Sequence, residues 1–182
     1  MSRFQRVGVF VDAQNMFYAA KHQYRAKLNF QKLLEAITRD RQLVRAISYL
    51  VQTPDTDQSS FVAMLLQNGY EVKSKALRLR PDGTAKGDWD MGIAIDTMAM
   101  ADRLDVVALV TGDGDFVDLV NMLKAKGLRV EVYSFPYSTG EELKCACTEF
   151  YQIGPELLIA STFPAKGKPA TAPPSPGVPS RD

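Results

Sequence analysis

The chain places four aspartates where chemistry is easy to build. The run Val106 to Asp115, VVALVTGDGD, is apolar and rich in β-branched residues until it stops at Thr111-Gly112. Asp113 and Asp115 follow with only Gly114 between them, and apolar residues resume at helical spacing from Phe116 to Leu123. This pattern predicts a buried strand, a glycine turn and a helix. Two carboxylates on so tight a turn repel each other unless a cation lies between them, and a hard divalent ion prefers such oxygen ligands. A single Asp here would serve equally well as a helix cap. The metal reading rests on the further acids. Asp12 ends the apolar run Val7 to Val11, and Asp90 stands at the start of a long apolar segment after KGDWD. Asp12, Asp90, Asp113 and Asp115 thus come from three separate strand or helix ends, and four carboxylates suit Mg²⁺ or Mn²⁺. The chemistry such a site favours is phosphodiester hydrolysis, with a more acidic water and neutralised attacking and leaving oxygens.

The elements that must position these acids follow from hydrophobic periodicity. Val7 to Val11 is apolar on both parities, as a central parallel strand is. A helix follows through Met16, Phe17, Ala19 and Ala20. Asn29 caps a helix to Ile37, Leu43 to Val51 is a strand, and Asp57 to Asn68 is a helix with Phe61, Met64, Leu65 and Leu66 turned inward. Tyr70 to Arg80 is extended and ends in the turn Pro81-Asp82-Gly83. Met91 to Met100 reads as a helix buried nearly all round. Lys124, Lys126 and Gly127 close the helix after the GDGD turn, and Leu128 to Tyr133 is the next strand. Ser138 or Thr139 caps a further helix, a short stretch follows at Tyr151 to Ile153, and Pro155 to Ala160 adds a last helical turn or two. Strands alternating with helices give an α/β fold with a mainly parallel, doubly wound sheet and right-handed crossovers. In such sheets ligands bind beyond the carboxyl ends of the strands, where the acids fall.

Other charged residues admit two readings each. Lys73, Lys75, Arg78 and Arg80 lie within one extended stretch; they protect an edge strand from aggregation or form a track for phosphates beside the acidic pocket. Lys86 joins Lys73 and Lys75 as a candidate for the basic rim. Asp96 is six residues from Asp90, roughly 240° around a helix, so the two do not point at one spot. Asp90 is the preferred ligand, and Asp96 instead holds backbone or a basic side chain.

Composition bounds the rest. The 182 residues suffice for one domain, and 46% hydrophobic with 24% charged residues is ordinary for a soluble globular protein. A formal net charge of +1 carries no global signal for nucleic acid, so any basic surface is local. Cys145 and Cys147 form a C-x-C pair without a second pair, which reads as small apolar packing rather than a metal site. No apolar run approaches the roughly 18 residues of a membrane span, and the default compartment is the cytoplasm. After Phe163 the composition changes to PAKGKPATAPPSPGVPSRD, so residues 1–163 form the domain and 164–182 a Pro-rich, disordered tail.

The segments VGVFVDAQNMF, KGDWDMGIAIDTM, VVALVTGDGDFVDLVNMLKAKGLRVEVYSF and EELKCACTEFYQI together resemble the bacterial LabA-like branch of the NYN domain family, within the PIN-like nuclease superfamily. The resemblance covers roughly Arg6 to Ile153, and the three motifs in order are more specific than any one of them. It implies a PIN-like, Rossmannoid three-layer sandwich and a metal-dependent ribonuclease, with Asp12, Asp90, Asp113 and Asp115 matching the acidic pocket. Asn15 matches a polar position beside the first acid, suited to a metal-bound water or a phosphate oxygen. One departure lies at Gly87-Asp88-Trp89-Asp90, where Lys-x-Val-Asp-like residues are expected. Asp88 therefore competes with Asp90 as ligand, and Trp89 either stacks on a base or packs in the core.

Two alternatives stay beside the ribonuclease. One is a non-catalytic RNA-binding or regulatory module that kept the pocket. The other is a phosphatase with a nucleophilic Asp and a second Asp two residues later, which Gln14 disfavours. His22, the only histidine, is expected to be solvated or partly packed, so a hydrolase here works through water. The expected partner is RNA, single-stranded or structured, with DNA also open because no residue visibly reads a 2′-hydroxyl. A sheet edge or an exposed helix is available for a homodimer, and no stretch identifies it.

Overall fold

The computed structural model describes residues 5–79, 85–86 and 88–160, without the side chains of 78–79 and 85–86. The expected turn at Pro81-Asp82-Gly83, the boundary at Phe163 and the tail 164–182 lie outside the described residues.

The chain runs β1 (Arg6–Asp12), α1 (Ala13–Tyr24), β2 (Ala26–Leu28), α2 (Phe30–Thr38), β3 (Gln42–Gln52), α3 (Ser59–Gln67) and β4 (Glu71–Ala76). Two short strands, β5 (Arg78–Leu79) and β6 (Ala85–Lys86), then pair antiparallel with each other. α4 (Asp90–Met100), β7 (Val106–Val110), α5 (Val117–Ala125), β8 (Arg129–Ser134), α6 (Glu141–Ala146), β9 (Glu149–Gln152) and β10 (Leu158–Ala160) complete the described chain. The six-stranded sheet has the order β4-β3-β1-β7-β8-β9 and is parallel at every pairing. β10 pairs antiparallel with β2 beside it.

Strand parity sorts the core into two layers. On one face Val7, Val9 and Val11 of β1 with Val106, Ala108 and Val110 of β7 pack against Met16, Leu33, Ile37 and Leu65 from α1, α2 and α3. On the other, Phe10, Val107, Leu109, Val130 and Val132 pack against Ile93, Val120, Leu123 and Leu143 from α4, α5 and α6. The result is the expected three-layer α/β sandwich. Its strands are apolar on both parities because both faces are covered. Gly8 faces the second layer, where a Cβ would fall 2.6 Å from Leu104 Cδ1, so the close approach of that leucine requires a glycine.

The strand order carries the functional consequence. Counting outwards, the chain fills the sheet from β1 to β4 on one side and then returns to lay β7 on the other flank of β1. The order reverses between β1 and β7, and the crevice at the carboxyl ends of those two strands is where such sheets bind ligands. Asp12 ends β1, and the Gly112–Asp115 turn follows β7.

Several local expectations are corrected. α4 is not buried nearly all round: Ile93, Thr97 and Met100 are inside, whereas Met91 is 71% and Ile95 60% exposed. A helix in the outer layer has only one sheet-facing side, and overall apolarity does not say how much of it is covered. Leu66 of α3 is 56% exposed rather than inward. α6 is preceded by Gly140, with no side-chain cap bond; the Ser138 and Thr139 hydroxyls both donate to the Phe135 carbonyl instead. Pro155 to Ala160 forms one 3-10 turn and then β10. Cys147 is buried, as a small apolar residue would be, but Cys145 is exposed. Among the described residues no helix is long and apolar enough to cross a membrane.

Candidate metal centre

Three of the four aspartates place one carboxylate oxygen each within 4.8 Å of one another: Asp90, Asp113 and Asp115. Asp90 sits in the first turn of α4 and is partly buried, as is Asp113, while Asp115 is exposed. Asp12 lies outside that closest set. With Asp90 and Asp113 it lines a cleft of about 450 Å³, and its carboxyl is close enough to those two for their charges to raise its pKa. The cleft is also lined by Asn15, Tyr18, His22, Gln23, Trp89 and Ser138, among others.

Local hydrogen bonds explain why the acids stay where they are. Asp12 caps α1, with its Oδ1 accepting from the Asn15 backbone N–H at 3.1 Å. Asn15 then reaches across to the other strand: its Oδ1 accepts from the Gly112 N–H at 3.0 Å. That bond ties the end of β1 to the turn after β7. Within the turn, the Asp113 N–H donates to Thr111 Oγ1 at 3.2 Å, and Asp113 Oδ1 accepts from the Asp115 N–H at 3.0 Å. The two glycines of GDGD differ. A Cβ on Gly112 would lie 2.4 Å from the Ser138 carbonyl oxygen, whereas one on Gly114 would meet nothing within 4 Å. Gly112 is demanded by the neighbouring loop, whose Gly140 N–H donates to the Gly112 carbonyl at 3.2 Å.

Burial first, and neighbouring negative charge second, disfavour ionisation of two of the acids. Burial pushes the Asp12 carboxyl up to about 6, assisted by Asp90 and Asp113 and opposed by the backbone N–H groups of Asn15 and Gln14. Asp90 is raised as well, by burial first and then by Asp113, Asp88 and Asp115, with Lys75 opposing. Such a donor set, all carboxylate oxygen and mutually repelling, fits a hard divalent cation.

The remaining candidates divide between the cleft and its surroundings. Asp88 is exposed and lines the cleft, but its carboxylate is outside the set of three. Asp96 is turned away from the acids, as its helical angle requires. It accepts from the Tyr49 hydroxyl at 2.8 Å and from Lys73 Nζ at 2.7 Å. Lys73 is therefore committed to an internal ion pair and does not line the cleft. Lys75 donates to the Asp88 carbonyl and holds its ammonium 4.5 Å from the centre of the Trp89 ring, and it is not among the residues that line the cleft. Lys86 pairs through its backbone with Arg78 on the small β5–β6 ribbon, and its side chain is outside the described atoms.

Trp89 serves packing and lining together. Its Nε1 donates to the Leu50 carbonyl at 2.7 Å, and its ring lies tilted on Tyr49 with centroids 5.3 Å apart. Gly92 allows this, since a Cβ there would lie 2.5 Å from the indole. The sequence reading missed the cleft wall from α1: Tyr18, His22 and Gln23. The signal was present, for Asn15, Tyr18 and His22 recur at the spacing of one helix face.

The model of the NYN domain family matches residues 6–154. The low amplitude and bright protein LabA of Synechococcus elongatus is 28% identical over 162 residues, which span 83% of this chain and 85% of that protein. The crystal structure of a protein of unknown function from Vibrio parahaemolyticus is 32% identical and superposes with a TM-score of 0.81, covering 87% of this chain and 99% of its own.

Proposed function

The chain belongs to the NYN domain family, and from that premise we propose that it is a Mg²⁺- or Mn²⁺-dependent ribonuclease that hydrolyses RNA phosphodiester bonds at the aspartate cluster. The observation that carries this reading is the convergence of Asp90, Asp113 and Asp115 at the switch point of the sheet, with Asp12 beside them. Asp90, Asp113 and Asp115 would hold the cation, and Asp12 completes the acidic floor on the side of β1. When bound, the cation supplies Lewis acidity, making a water nucleophilic near neutral pH and offsetting charge on the phosphate. The chain's own residues do the positioning. Asn15 fixes the β1 end against the β7 turn, and the Asp113 side chain holds the backbone of Asp115 in place. Among the described residues His22 makes no hydrogen bond to a serine or an aspartate, so no Ser-His-Asp relay is assembled there to compete with this water-based chemistry.

The test is cleavage of a labelled single-stranded RNA with Mn²⁺, Mg²⁺ or EDTA, run beside Asp113→Asn. Metal-dependent cuts that vanish in the variant are expected. RNA that is bound but never cut by folded, metal-loaded protein would replace this reading with the non-catalytic RNA-binding or regulatory module. Cuts that survive the substitution would remove Asp113 from the site. The same assay on single-stranded DNA decides whether RNA is the sole substrate.

A further inference from the structure

The cleft has a second wall that the aspartates do not explain. α1 runs away from Asp12, and its residues sort by angle. Met16 and Ala20 are buried against the sheet, while Asn15, Tyr18, Ala19, His22 and Gln23 line the cleft. Tyr18 is 51% exposed, a large fraction for an aromatic ring beside a candidate catalytic centre. The His22 ring lies nearly parallel to it, at 18°, with centroids 6.3 Å apart. Phe17 meets the Tyr18 ring edge-on at 5.8 Å and steadies its orientation. Beside them, Gln23 has its side-chain Oε1 buried with no hydrogen-bond partner among the described residues. That oxygen is closed to solvent and meets a ligand only when the Gln23 side chain turns outward, a turn that its unsatisfied state favours.

We propose that Tyr18 and His22 form a nucleobase-stacking subsite next to the aspartates, with Gln23 reading the edge of the stacked base. The proposal rests on the ribonuclease reading for the identity of the polymer, and it adds how the strand is gripped. An acidic floor repels a phosphate backbone until a cation is present, so attraction by charge alone is weak on this side. Flat aromatic faces supply the missing attraction, because every base has a π-face and stacks with little regard to sequence. A base reaches Tyr18 only when unstacked from its neighbours, so the subsite selects single strands, loops and ends over duplex. The Gln23 amide offers both an acceptor and a donor, and this gives the subsite a modest base preference.

The chain contains one tryptophan, and it lines the same cleft. Trp89 fluorescence therefore reports occupancy without any need for cleavage. The experiment titrates the full chain, with Ca²⁺ present, with short 5′-labelled single-stranded RNAs and with a duplex of the same sequence. Anisotropy and Trp89 quenching are followed together. Tyr18→Ala is expected to weaken single-strand binding roughly 5- to 100-fold. Tyr18→Phe keeps the ring and is expected to bind as the parent does. His22→Ala lowers affinity less, and Gln23→Leu flattens differences among the four homopolymers. Single-stranded DNA that binds equally and is weakened by Tyr18→Ala supports the subsite and widens its ligand to single strands of either sugar.

Wild-type affinity in both Tyr18→Ala and His22→Ala overturns the subsite, and so does duplex binding as tight as single-strand binding. These failures separate from failure of the ribonuclease reading. Unchanged binding by both variants, with cleavage still abolished by Asp113→Asn, sinks the subsite alone. Binding that is Tyr18-dependent without cleavage under any metal keeps the subsite and removes the catalysis. No binding of any single strand removes the subsite, and the ribonuclease reading then rests on cleavage of structured RNA.

Discussion

Asp12→Asn exchanges one carboxylate oxygen for an amide group of the same size, at a residue that caps α1 through Oδ1. Asn caps helices as well as Asp does, so the bond from the Asn15 N–H survives and α1 is not weakened. What changes is charge. The Asp12 carboxyl is pushed up to about 6 in the folded chain from an ordinary value of 3.8, by burial and by Asp90 and Asp113. A raised folded pKa means that the group's stabilising contribution is complete below the unfolded value and is lost as pH rises through the folded one. The metal-free protein therefore carries a penalty at neutral pH, with a ceiling of about 3 kcal/mol. The amide removes it. A gain of about 1–3 kcal/mol corresponds to roughly 2–12 °C in Tm for a domain of this size.

Thermal unfolding in EDTA at about pH 7.5 and about pH 4.5 measures the gain. The variant is expected to be the more stable at the higher pH, with the advantage shrinking as Asp12 protonates in the parent. Added Mg²⁺ stabilises the parent by mass action and the variant less, so the order narrows or reverses with metal. A variant less stable than the parent at about pH 7.5 without metal, or equally favoured at both pH values, would refute the argument that burial, with the neighbouring acids, makes the Asp12 charge costly.

Four further substitutions have expected outcomes. Gly112→Ala drives a Cβ against the Ser138 carbonyl and is expected to cost about 1–3 kcal/mol in urea unfolding and to suppress activity. Gly114→Ala has open space around it and is expected to change stability by under about 1 kcal/mol. Asn15→Ala severs the tie to the Gly112 N–H and is expected to lower divalent-ion affinity or cleavage about 10- to 100-fold, read by calorimetry and single-turnover assays. Glu131 is 1% exposed; burial alone would raise its carboxyl, but bonds from Arg41, Arg129 and Tyr133 overcome that and hold it below the ordinary range. Glu131→Ala strands Arg41, itself only 10% exposed, and is expected to cost about 3–5 kcal/mol by chemical denaturation. Because the Glu131 pKa is lowered, its stabilisation holds at neutral pH and is lost on acidification through the folded value.

Sequence alone determined what depends on local order. Alternating strands and helices, the cap at Asn29 and the glycine after α5 were legible because periodicity and cap chemistry act over a few residues. The acids were legible as strand-end residues, and the angle between Asp90 and Asp96 followed from helix geometry. Tertiary structure decided the rest. Which strands flank β1 is set by long-range pairing, and only that order brings the turn after β7 beside Asp12. Lys73 had equal claims to edge protection or to a phosphate track, and the fold instead brings Asp96 to it from another element. The exposed flank of α4 was hidden because apolar composition does not record how many neighbours a helix has. The wall of α1 was legible only as a helix face, with Asn15, Tyr18 and His22 at helical spacing, and the fold decided that this face lines the cleft that Trp89 also lines.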